Sequence, residues 1–305
     1  MLISFFEKIK SLVLASRPKQ SIKNLVIYLA LLFTINEAWD TSDFSEVISF
    51  IFRSSQAFII FTILTSSIYI FNDIFDLERD RNHPEKRLRP VAASKLSVKL
   101  AFFSALIMLT ASLILSFWIG YAFGTTSCIY ALTMICYTVL LKKMILIDVF
   151  CISFGFVLRA VAGAVVLAVP ISPWLYICTG LAALFLALVK RRSELLIAGD
   201  RAPVQRDVLE DYTLRFLDIL IAVTMAALVM AYTLYSFTSP NLPKNQYMVF
   251  TVPFVLYGLF RYLLLADKKE AGENPEDIIL SDIPLLICVS LWLTSVLIIL
   301  GLFRY

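Results

Sequence analysis

Histidine and charge are scarce in this chain of 305 residues. His83 is the single histidine, and the five cysteines lie in apolar runs without CxxC pairing or the spacing of metal ligands. This argues against a zinc site and against nucleophilic catalysis by a Ser/His/Asp or Cys/His arrangement. Charged residues make up 16% of the chain, whereas 60% is hydrophobic and the mean hydropathy is +0.83. The composition therefore predicts a polytopic membrane protein.

A signal peptide is not expected at the N-terminus. Glu7, Lys8 and Lys10 interrupt the first apolar residues too early for one. Residues 1–20 are predicted to be a short interfacial segment, with a helix over residues 2–15. The apolar residues on one side of that helix are Leu2, Phe5, Ile9 and Leu12.

Long apolar runs are what the chain has in abundance. A membrane-spanning helix needs about 20 apolar residues. About nine segments meet this length, near residues 22–39, 50–75, 98–119, 121–141, 145–169, 172–190, 214–237, 246–265 and 282–302. No shift in composition marks a second domain. The sequence predicts an all-α polytopic membrane protein with residues 1–305 in a single transmembrane domain.

The basic residues are distributed unevenly over the loops. Of the 27 lysines and arginines, 23 lie in the N-terminal segment or in the loops after even-numbered spans. The positive-inside rule then places the N-terminus and the long polar loops in the cytoplasm and the C-terminus outside. We therefore predict a multi-pass protein of the inner (plasma) membrane with its polar loops facing the cytoplasm.

Acidic residues are concentrated where the second predicted span ends. In a continuous helix Asp73, Asp76 and Asp80 stand at i, i+3 and i+7 and share one face, with Tyr69 and Asn72 on the adjoining strip. These oxygen-bearing side chains suit Mg²⁺, a hard cation. The alternative is a solvated helix end of mixed charge.

A basic loop follows this acidic stretch. Lys86, Arg87 and Arg89 lie within ten residues of Asp80. Cations at that distance from a metal-binding helix end suit an anionic substrate. The alternative role of Arg87 and Arg89 is to contact membrane headgroups.

Several motifs carry a resemblance to a known family. The stretch NDIFDLERD at residues 72–80 resembles the NDxxDxxxD signature of the UbiA superfamily of intramembrane prenyltransferases. Four stretches resemble the decaprenyl-phosphate phosphoribosyltransferase branch: residues 17–24 (RPxQWxKN, with Ser21 in place of Trp), 72–93 (NDxxDxxxDxxHPxKRxRPxAA), 141–163 (LKxxxxxDV and LRAxAG) and 190–194 (KRxxE). Weaker matches lie at residues 212–218 and 274–282. The resemblance covers nearly the whole chain and implies a UbiA-like helical bundle.

The segment after the sixth predicted span departs from the broader superfamily. Typical members carry a second aspartate-rich motif there, whereas this chain has KRRSELLIAGD, with three cations before Glu194 and Asp200. One acidic and one basic motif suit a metal-bound diphosphate beside a metal-free phosphate. The resemblance implies Mg²⁺-dependent transfer of 5-phosphoribosyl from phosphoribosyl pyrophosphate (PRPP) to a polyprenyl, decaprenyl-like phosphate, releasing pyrophosphate. It further implies a pathway toward cell-wall arabinose donors.

The resemblance also implies roles for individual residues. Asp73, Asp76 and Asp80 are expected to be catalytic, and Asn72, Asp73 and Asp76 are expected to hold Mg²⁺. The residues expected to bind substrate are Lys23, Tyr69, Lys86, Arg87, Arg89, Lys142, Arg159, Lys190, Arg191 and Glu194. Two alternatives stay open: Tyr69 as an interfacial aromatic anchor, and the cations at 190–192 as positive-inside charges.

Arg159 stands out because it lies well inside a predicted span. A lone cation at that depth costs at least ~2.5–3.5 kcal/mol on insertion scales, so it needs an anionic partner. Either a substrate phosphate or Asp148, about three helical turns earlier, could serve. Both roles can coexist.

Two other functions compete with the phosphoribosyltransferase. An aromatic prenyltransferase using a prenyl diphosphate shares the first motif, but the basic segment at 190–192 argues against it. A transporter or membrane scaffold would not explain the clustered aspartates. Transporters often contain internal repeats, and the chain shows no clear one. Nothing points to nucleic acid as a partner, and the sequence leaves open a homo-oligomer and the length of the lipid.

Overall fold

The computed structural model describes residues 2–83, 85–170, 172–198, 207–239, 242–268 and 275–303. Over these ranges the chain is helical, and the extended structure is limited to an isolated bridge between Ile35 and Trp39. The α-helices, numbered in chain order, are α1 Leu2–Ala15, α2 Leu29–Phe33, α3 Phe44–Phe75, α4 Leu77–Arg81, α5 Val98–Ile119, α6 Tyr121–Val139, α7 Ile147–Leu167, α8 Pro173–Ala198, α9 Leu214–Thr238, α10 Val252–Lys268, α11 Pro275–Ser281 and α12 Ile283–Leu302. In the described ranges five 3₁₀-helices lie between them, at Pro18–Tyr28, Lys86–Leu88, Leu141–Lys143, Asp207–Asp211 and Tyr247–Thr251.

Eight helical segments in the described part of the chain are long and apolar enough to cross a membrane. They are α3, α5, α6, α7, α8, α9, the run Tyr247–Asp267 and α12. Each matches a predicted span, and most ends differ by a few residues. There are two larger differences: α3 begins six residues earlier than predicted, and α8 extends beyond residue 190 to Ala198. The all-helical membrane architecture is confirmed.

The first predicted span, residues 22–39, has a different form. The chain there is a 3₁₀-helix over Pro18–Tyr28 followed by the short helix α2. Eleven 3₁₀ residues at about 2.0 Å and five α residues at about 1.5 Å reach roughly 30 Å, close to the thickness of the hydrocarbon core. This segment therefore has the length of a ninth crossing in fewer residues than an α-helix needs.

The 3₁₀-helix packs tightly against α7. A Cβ built on Gly163 would lie 2.0 Å from the backbone carbonyl oxygen of Ile27, so only glycine allows this approach. Phe61 of α3 and Tyr130 of α6 complete the centre of this core, with their ring centroids 4.9 Å apart. The outer faces remain apolar, as with Ile107 of α5, which is 67% exposed and suited to lipid.

The N-terminal helix α1 confirms the helix predicted over residues 2–15. Its C-terminal residue Ala15 is buried, and Leu12 packs against the same small core as Ile70 of α3. Its position at the membrane interface stays a prediction. The chain then turns sharply at Arg17, whose φ of 52° and ψ of 63° are left-handed. This turn brings the Arg17 side chain toward the end of α3.

Candidate active site

The acidic motif lies where the longest helix ends. α3 runs to Phe75, and Asp76 caps it with φ −93° and ψ 10°. α4 begins at the next residue, and the Asp80 N–H donates to the carbonyl oxygen of Asp76 at 2.8 Å. Because the helix is interrupted inside the motif, the aspartates do not form the single helical stripe predicted from their spacing. Asp73 and Asp80 converge, whereas Asp76 contacts another segment.

Asp73 and Asp80 converge on one guanidinium group. Nη1 of Arg89 donates to Oδ1 of Asp73 at 3.2 Å and to Oδ2 of Asp80 at 2.7 Å. Nη2 of Arg17 also donates to Oδ1 of Asp73. The two aspartates are only 1% and 3% exposed. The two carboxylates and the two guanidinium groups form one buried cluster of charges.

Asp76 is bound by the turn between α6 and α7. Nζ of Lys142 donates to Oδ1 of Asp76 at 2.5 Å, and the two residues are 66 positions apart in the chain. The Lys142 side chain is 8% exposed, whereas that of Asp76 is 20% exposed. This contact joins the α6–α7 turn to the end of α3, so the predicted residues Asp76 and Lys142 do meet.

Tyr69 and Asn72 lie on α3 beside the aspartates, and both are half-buried. The Arg17 guanidinium lies over the Tyr69 ring, 5.2 Å from its centroid. Tyr69 thus helps to place the Arg17 guanidinium at Asp73 through a cation–π contact. An aromatic residue that only anchors the protein at the membrane interface would not need this contact.

Three further cations of the predicted site lie on the loop after α4 and on the N-terminal 3₁₀-helix. Lys86 is half-buried on its 3₁₀-helix, and Arg87 next to it is exposed. The turn before them is organised by His83, whose Nδ1 accepts from the N–H groups of Glu85 and Lys86 at 3.2 and 3.3 Å. Lys23 is half-buried and contacts Gln20 Oε1 at 3.2 Å.

The carboxylates of this centre fit a hard divalent ion. Among the described residues no three His, Cys, Asp or Glu side chains surround one point in the manner of a protein-only metal site. Mg²⁺ needs fewer, because it usually takes one or two carboxylates and completes its shell with phosphate and water. Asp73 and Asp80 provide two oxygens around one cation position. The residues present therefore fit a metal–phosphate complex better than a metal held by protein alone.

Arg159 lies deeper in the bundle and has different partners from those considered above. Its Nε donates to Asn24 Oδ1 at 2.8 Å, its Nη2 to the Tyr130 hydroxyl at 2.7 Å, and its Nη1 to the Gly155 carbonyl at 2.9 Å. It is only 4% exposed. The alternative in which Arg159 pairs with Asp148 is wrong, because Asp148 is bound elsewhere. Among the residues that the structure describes, polar groups and the aromatic rings of Tyr130 and Phe156 contact this cation.

Asp148 belongs to a second buried network with Arg191. Nε of Arg191 donates to Oδ2 of Asp148 at 2.6 Å, and its Nη1 donates to Glu194. The Arg191 side chain is 1% exposed. Arg191 and Glu194, each predicted to bind substrate, thus meet in an internal ion pair.

Tyr212 completes that network from the segment after α8. Its hydroxyl donates to Oδ1 of Asp148 at 2.9 Å and accepts from the Leu146 N–H at 2.9 Å. Burial, and then the negative charge of Asp148, raise the pKa of Tyr212 well above the ordinary tyrosine value. The hydroxyl therefore keeps its proton and its role as a donor over the physiological range.

The other cations of the KRRSE segment are also placed. Arg192 forms ion pairs with Asp218 of α9 at 2.6 Å and Asp267 of α10 at 3.0 Å. Lys190 is half-buried on the same helix. Asp200 lies outside the described residues, as does Asn274 in the last weak motif match.

Sequence reasoning missed four residues of these centres: Arg17, Asn24, Tyr130 and Tyr212. Arg17 and Asn24 lie in the RPxQWxKN-like stretch, and Tyr212 begins the weak match at 212–218, so the motifs contained a signal for three of them. Tyr130 had none, because a tyrosine in an apolar span is ordinary. Its hydroxyl accepts a hydrogen bond from Arg159, which lies 29 residues later in the chain.

Solved structures share this arrangement of helices. A UbiA homolog from Archaeoglobus fulgidus bound to GPP and Mg²⁺ has a TM-score of 0.71 and 15% identity, covering 96% of this chain and 100% of that one. A digeranylgeranylglyceryl phosphate synthase has a TM-score of 0.65 and 19% identity, covering 97% and 99%. At these identities the likeness concerns the fold. The chain is a multi-pass helical membrane protein with the UbiA fold.

Sequence comparison gives the family. Residues 47–277 match the UbiA prenyltransferase family. The decaprenyl-phosphate phosphoribosyltransferase of Mycolicibacterium smegmatis is 32% identical over 297 residues, covering 94% of this chain and 92% of that one. The enzyme of that name from Mycobacterium tuberculosis is 30% identical over 288 residues, covering 94% and 93%. The chain belongs to the UbiA prenyltransferase family, in its decaprenyl-phosphate phosphoribosyltransferase branch, and is a transferase.

Proposed function

We propose that this enzyme transfers the 5-phosphoribosyl group of PRPP to a polyprenyl phosphate, in a Mg²⁺-dependent reaction at the cytoplasmic face of the inner membrane. The observation that carries the proposal is that the three aspartates of the motif contact cations from three separate segments. Arg17, Arg89 and Lys142 meet the acidic motif from the N-terminal turn, the loop after α4 and the α6–α7 turn. Such a mixed centre suits a substrate with several phosphates. The names of the relatives support the choice of substrates.

Each side chain has a task in this scheme. Asp73, Asp76 and Asp80, with Asn72, would hold Mg²⁺, which when bound neutralises the charge that develops on the departing diphosphate. Arg89 and Lys142 exchange their carboxylate contacts for phosphate oxygens of PRPP. Lys86 and Arg87, on the loop next to Arg89, bind the 5-phosphate. Tyr69 lies one turn before Asp73 and hydrogen-bonds the ribose or a phosphate.

The reaction needs no protein base. An oxygen of the lipid phosphate, already an anion at neutral pH, attacks the anomeric carbon of PRPP. The bond from that carbon to the diphosphate oxygen breaks, and pyrophosphate leaves with the electron pair. The protein contributes position and charge in a site shielded from water. The buried carboxylates Asp73 and Asp80 are consistent with such shielding.

The lipid phosphate needs a cation of its own. Lys23 lies within the 3₁₀-helix Pro18–Tyr28 and Lys190 within α8, and both are half-buried. We assign the acceptor phosphate to them. Arg191 is 1% exposed and bound to two carboxylates, so we assign it and Glu194 a supporting position instead of direct contact with substrate. Arg159, held by Asn24 and Tyr130, would stabilise the polar floor beneath the site.

The test is a direct assay of the purified protein in nanodiscs. With labelled PRPP, a polyprenyl phosphate and Mg²⁺, mass spectrometry should detect polyprenylphosphoryl-5-phosphoribose and pyrophosphate. Chelation of divalent ions and Asp76→Ala should both abolish the product. Asp218→Asn is the matched control, because this aspartate pairs with Arg192 away from the centre and should leave turnover intact.

An aromatic prenyltransferase is the competing function within the family. It would consume a prenyl diphosphate and prenylate an aromatic acid in the same preparation. That activity, together with no turnover of PRPP for any of several lipid phosphates, would overturn the proposal.

A further inference from the structure

The α6–α7 turn presents a lysine to the acidic centre. Lys142 lies on the 3₁₀-helix Leu141–Lys143 and is 7% exposed, with its Nζ at Asp76. Its neighbour Lys143 is exposed. The conformation of one turn thus decides which of two adjacent lysines reaches the site.

This turn ends in an unfavourable backbone conformation. Leu146 has φ 65° and ψ −44°, a region that residues with a side chain rarely adopt. Such a conformation persists only where its surroundings hold it in place. The Leu146 carbonyl accepts from the N–H groups of Val149 and Phe150 at the start of α7. Its N–H donates to the Tyr212 hydroxyl at 2.9 Å, a hydrogen bond from outside the turn, and its side chain packs against the core that includes Phe185 and Leu188.

The Tyr212 hydroxyl is itself fixed from the other side. Tyr212 is 3% exposed, and its hydroxyl donates to Asp148 Oδ1 at 2.9 Å. The second oxygen of Asp148 accepts from Arg191 at 2.6 Å, and both of these residues are fully buried. A continuous set of hydrogen bonds therefore runs from α8 through Asp148 and Tyr212 to Leu146.

We propose that Tyr212 is a positioning residue that places Lys142 at Asp76 by holding Leu146 in its strained conformation. Its effect on the reaction rests on the function proposed above, in which Lys142 binds a phosphate of PRPP. The structural part does not depend on that function. The Tyr212 hydroxyl accepts one hydrogen bond, from Leu146, and donates another, to Asp148. Phenylalanine can form neither of them.

Selective labelling of lysine amines tests the structural part. In Tyr212→Phe the turn should relax, and the rate of acylation at Lys142 relative to Lys143 should rise about five-fold as local opening becomes easier. Peptide mass spectrometry reads both lysines in one sample, so Lys143 is an internal standard. Tyr232→Phe is the control, because it removes a buried hydroxyl bound to Thr251 and Trp292 at a distant point and should leave the ratio unchanged.

Two labelling results would overturn the proposal. One is an unchanged ratio of Lys142 to Lys143 in Tyr212→Phe. The other is an equal rise at Lys23 and Lys190, which would indicate general loosening of the protein.

A double-mutant cycle tests the effect on the reaction. Tyr212→Phe and Lys142→Gln should each lower kcat/KM for PRPP about ten-fold, and the double variant should be no worse than Lys142→Gln alone. Additive losses would mean that Tyr212 acts on stability in general and not through Lys142. If the wild-type protein fails to turn over PRPP, the proposed function fails, and the labelling experiment still decides whether Tyr212 positions Lys142.

Discussion

Two neighbouring arginines on α8 occupy opposite environments. Arg191 is buried between Asp148 and Glu194, whereas Arg192 pairs at the surface with Asp218 and Asp267, whose side chains are 53% and 60% exposed. Breaking a buried ion pair leaves a charge without a partner in a poorly solvated place, and a surface pair is largely screened by water. Sequence position alone does not reveal which arginine is which.

This difference gives a prediction for a matched pair of substitutions. Arg191→Gln should lower the free energy of unfolding by about 3–5 kcal/mol, because Asp148 and Glu194 stay buried without their cation. Arg192→Gln should change it by about 0–1 kcal/mol. Thermal or denaturant unfolding in detergent micelles measures both. Equal effects of the two substitutions would contradict the assignment of Arg191 to a buried network.

Tyr212 gives a prediction for pH. Its pKa is raised in the folded protein, so the unfolded chain releases the phenolic proton at a lower pH than the folded one. The hydroxyl's stabilising contribution is complete below the unfolded value of about 10 and is lost as pH rises from there toward the folded value. Wild-type protein should therefore lose stability above about pH 10 more steeply than Tyr212→Phe. Unfolding curves at several alkaline pH values provide the measurement, and parallel curves would argue against it.

At the scale of secondary structure, the approach of α7 to the 3₁₀-helix is the most demanding contact. Gly163→Ala places a methyl group against the Ile27 carbonyl, which is backbone and cannot rotate away. Overpacking of this kind costs about 1–3 kcal/mol, so the unfolding midpoint should fall. Gly301→Ala is the control, because a Cβ at Gly301 meets nothing within 4 Å. Its midpoint should stay the same or rise slightly with the gain in helix propensity.

The sequence was informative about helices because apolar length alone defines a membrane span. Eight of the predicted segments correspond to long helices for that reason. The 3₁₀ form of residues 18–28 could not be predicted, since tertiary contacts such as that of Ile27 with Gly163 select it. The break at Asp76 was missed for a similar reason: Asp76 is bound by Lys142, which lies 66 residues later in the chain. Local spacing contains no information about contacts 66 residues apart.

At the scale of the whole molecule, orientation in the membrane is the main open prediction. The distribution of the basic residues predicts that the acidic centre faces the cytoplasm. Thr41 and Asn82 are both exposed, one in the connection before α3 and the other in the motif loop. In a protein with its five native cysteines replaced, Thr41→Cys should react with a membrane-impermeant maleimide in intact spheroplasts. Asn82→Cys should react only after permeabilisation, and the reverse pattern would invert the topology.

The acidic centre begins at the last turn of a membrane-spanning helix, and this has a kinetic consequence. In the proposed reaction the acceptor lipid would arrive by lateral diffusion in two dimensions, whereas PRPP would arrive from the aqueous phase. The rate should then follow the mole fraction of acceptor among the surrounding lipids and be insensitive to its amount per volume. Diluting the vesicles with buffer that holds PRPP and Mg²⁺ at the same concentrations would leave the initial rate per enzyme unchanged, and diluting the acceptor with inert phospholipid would lower it.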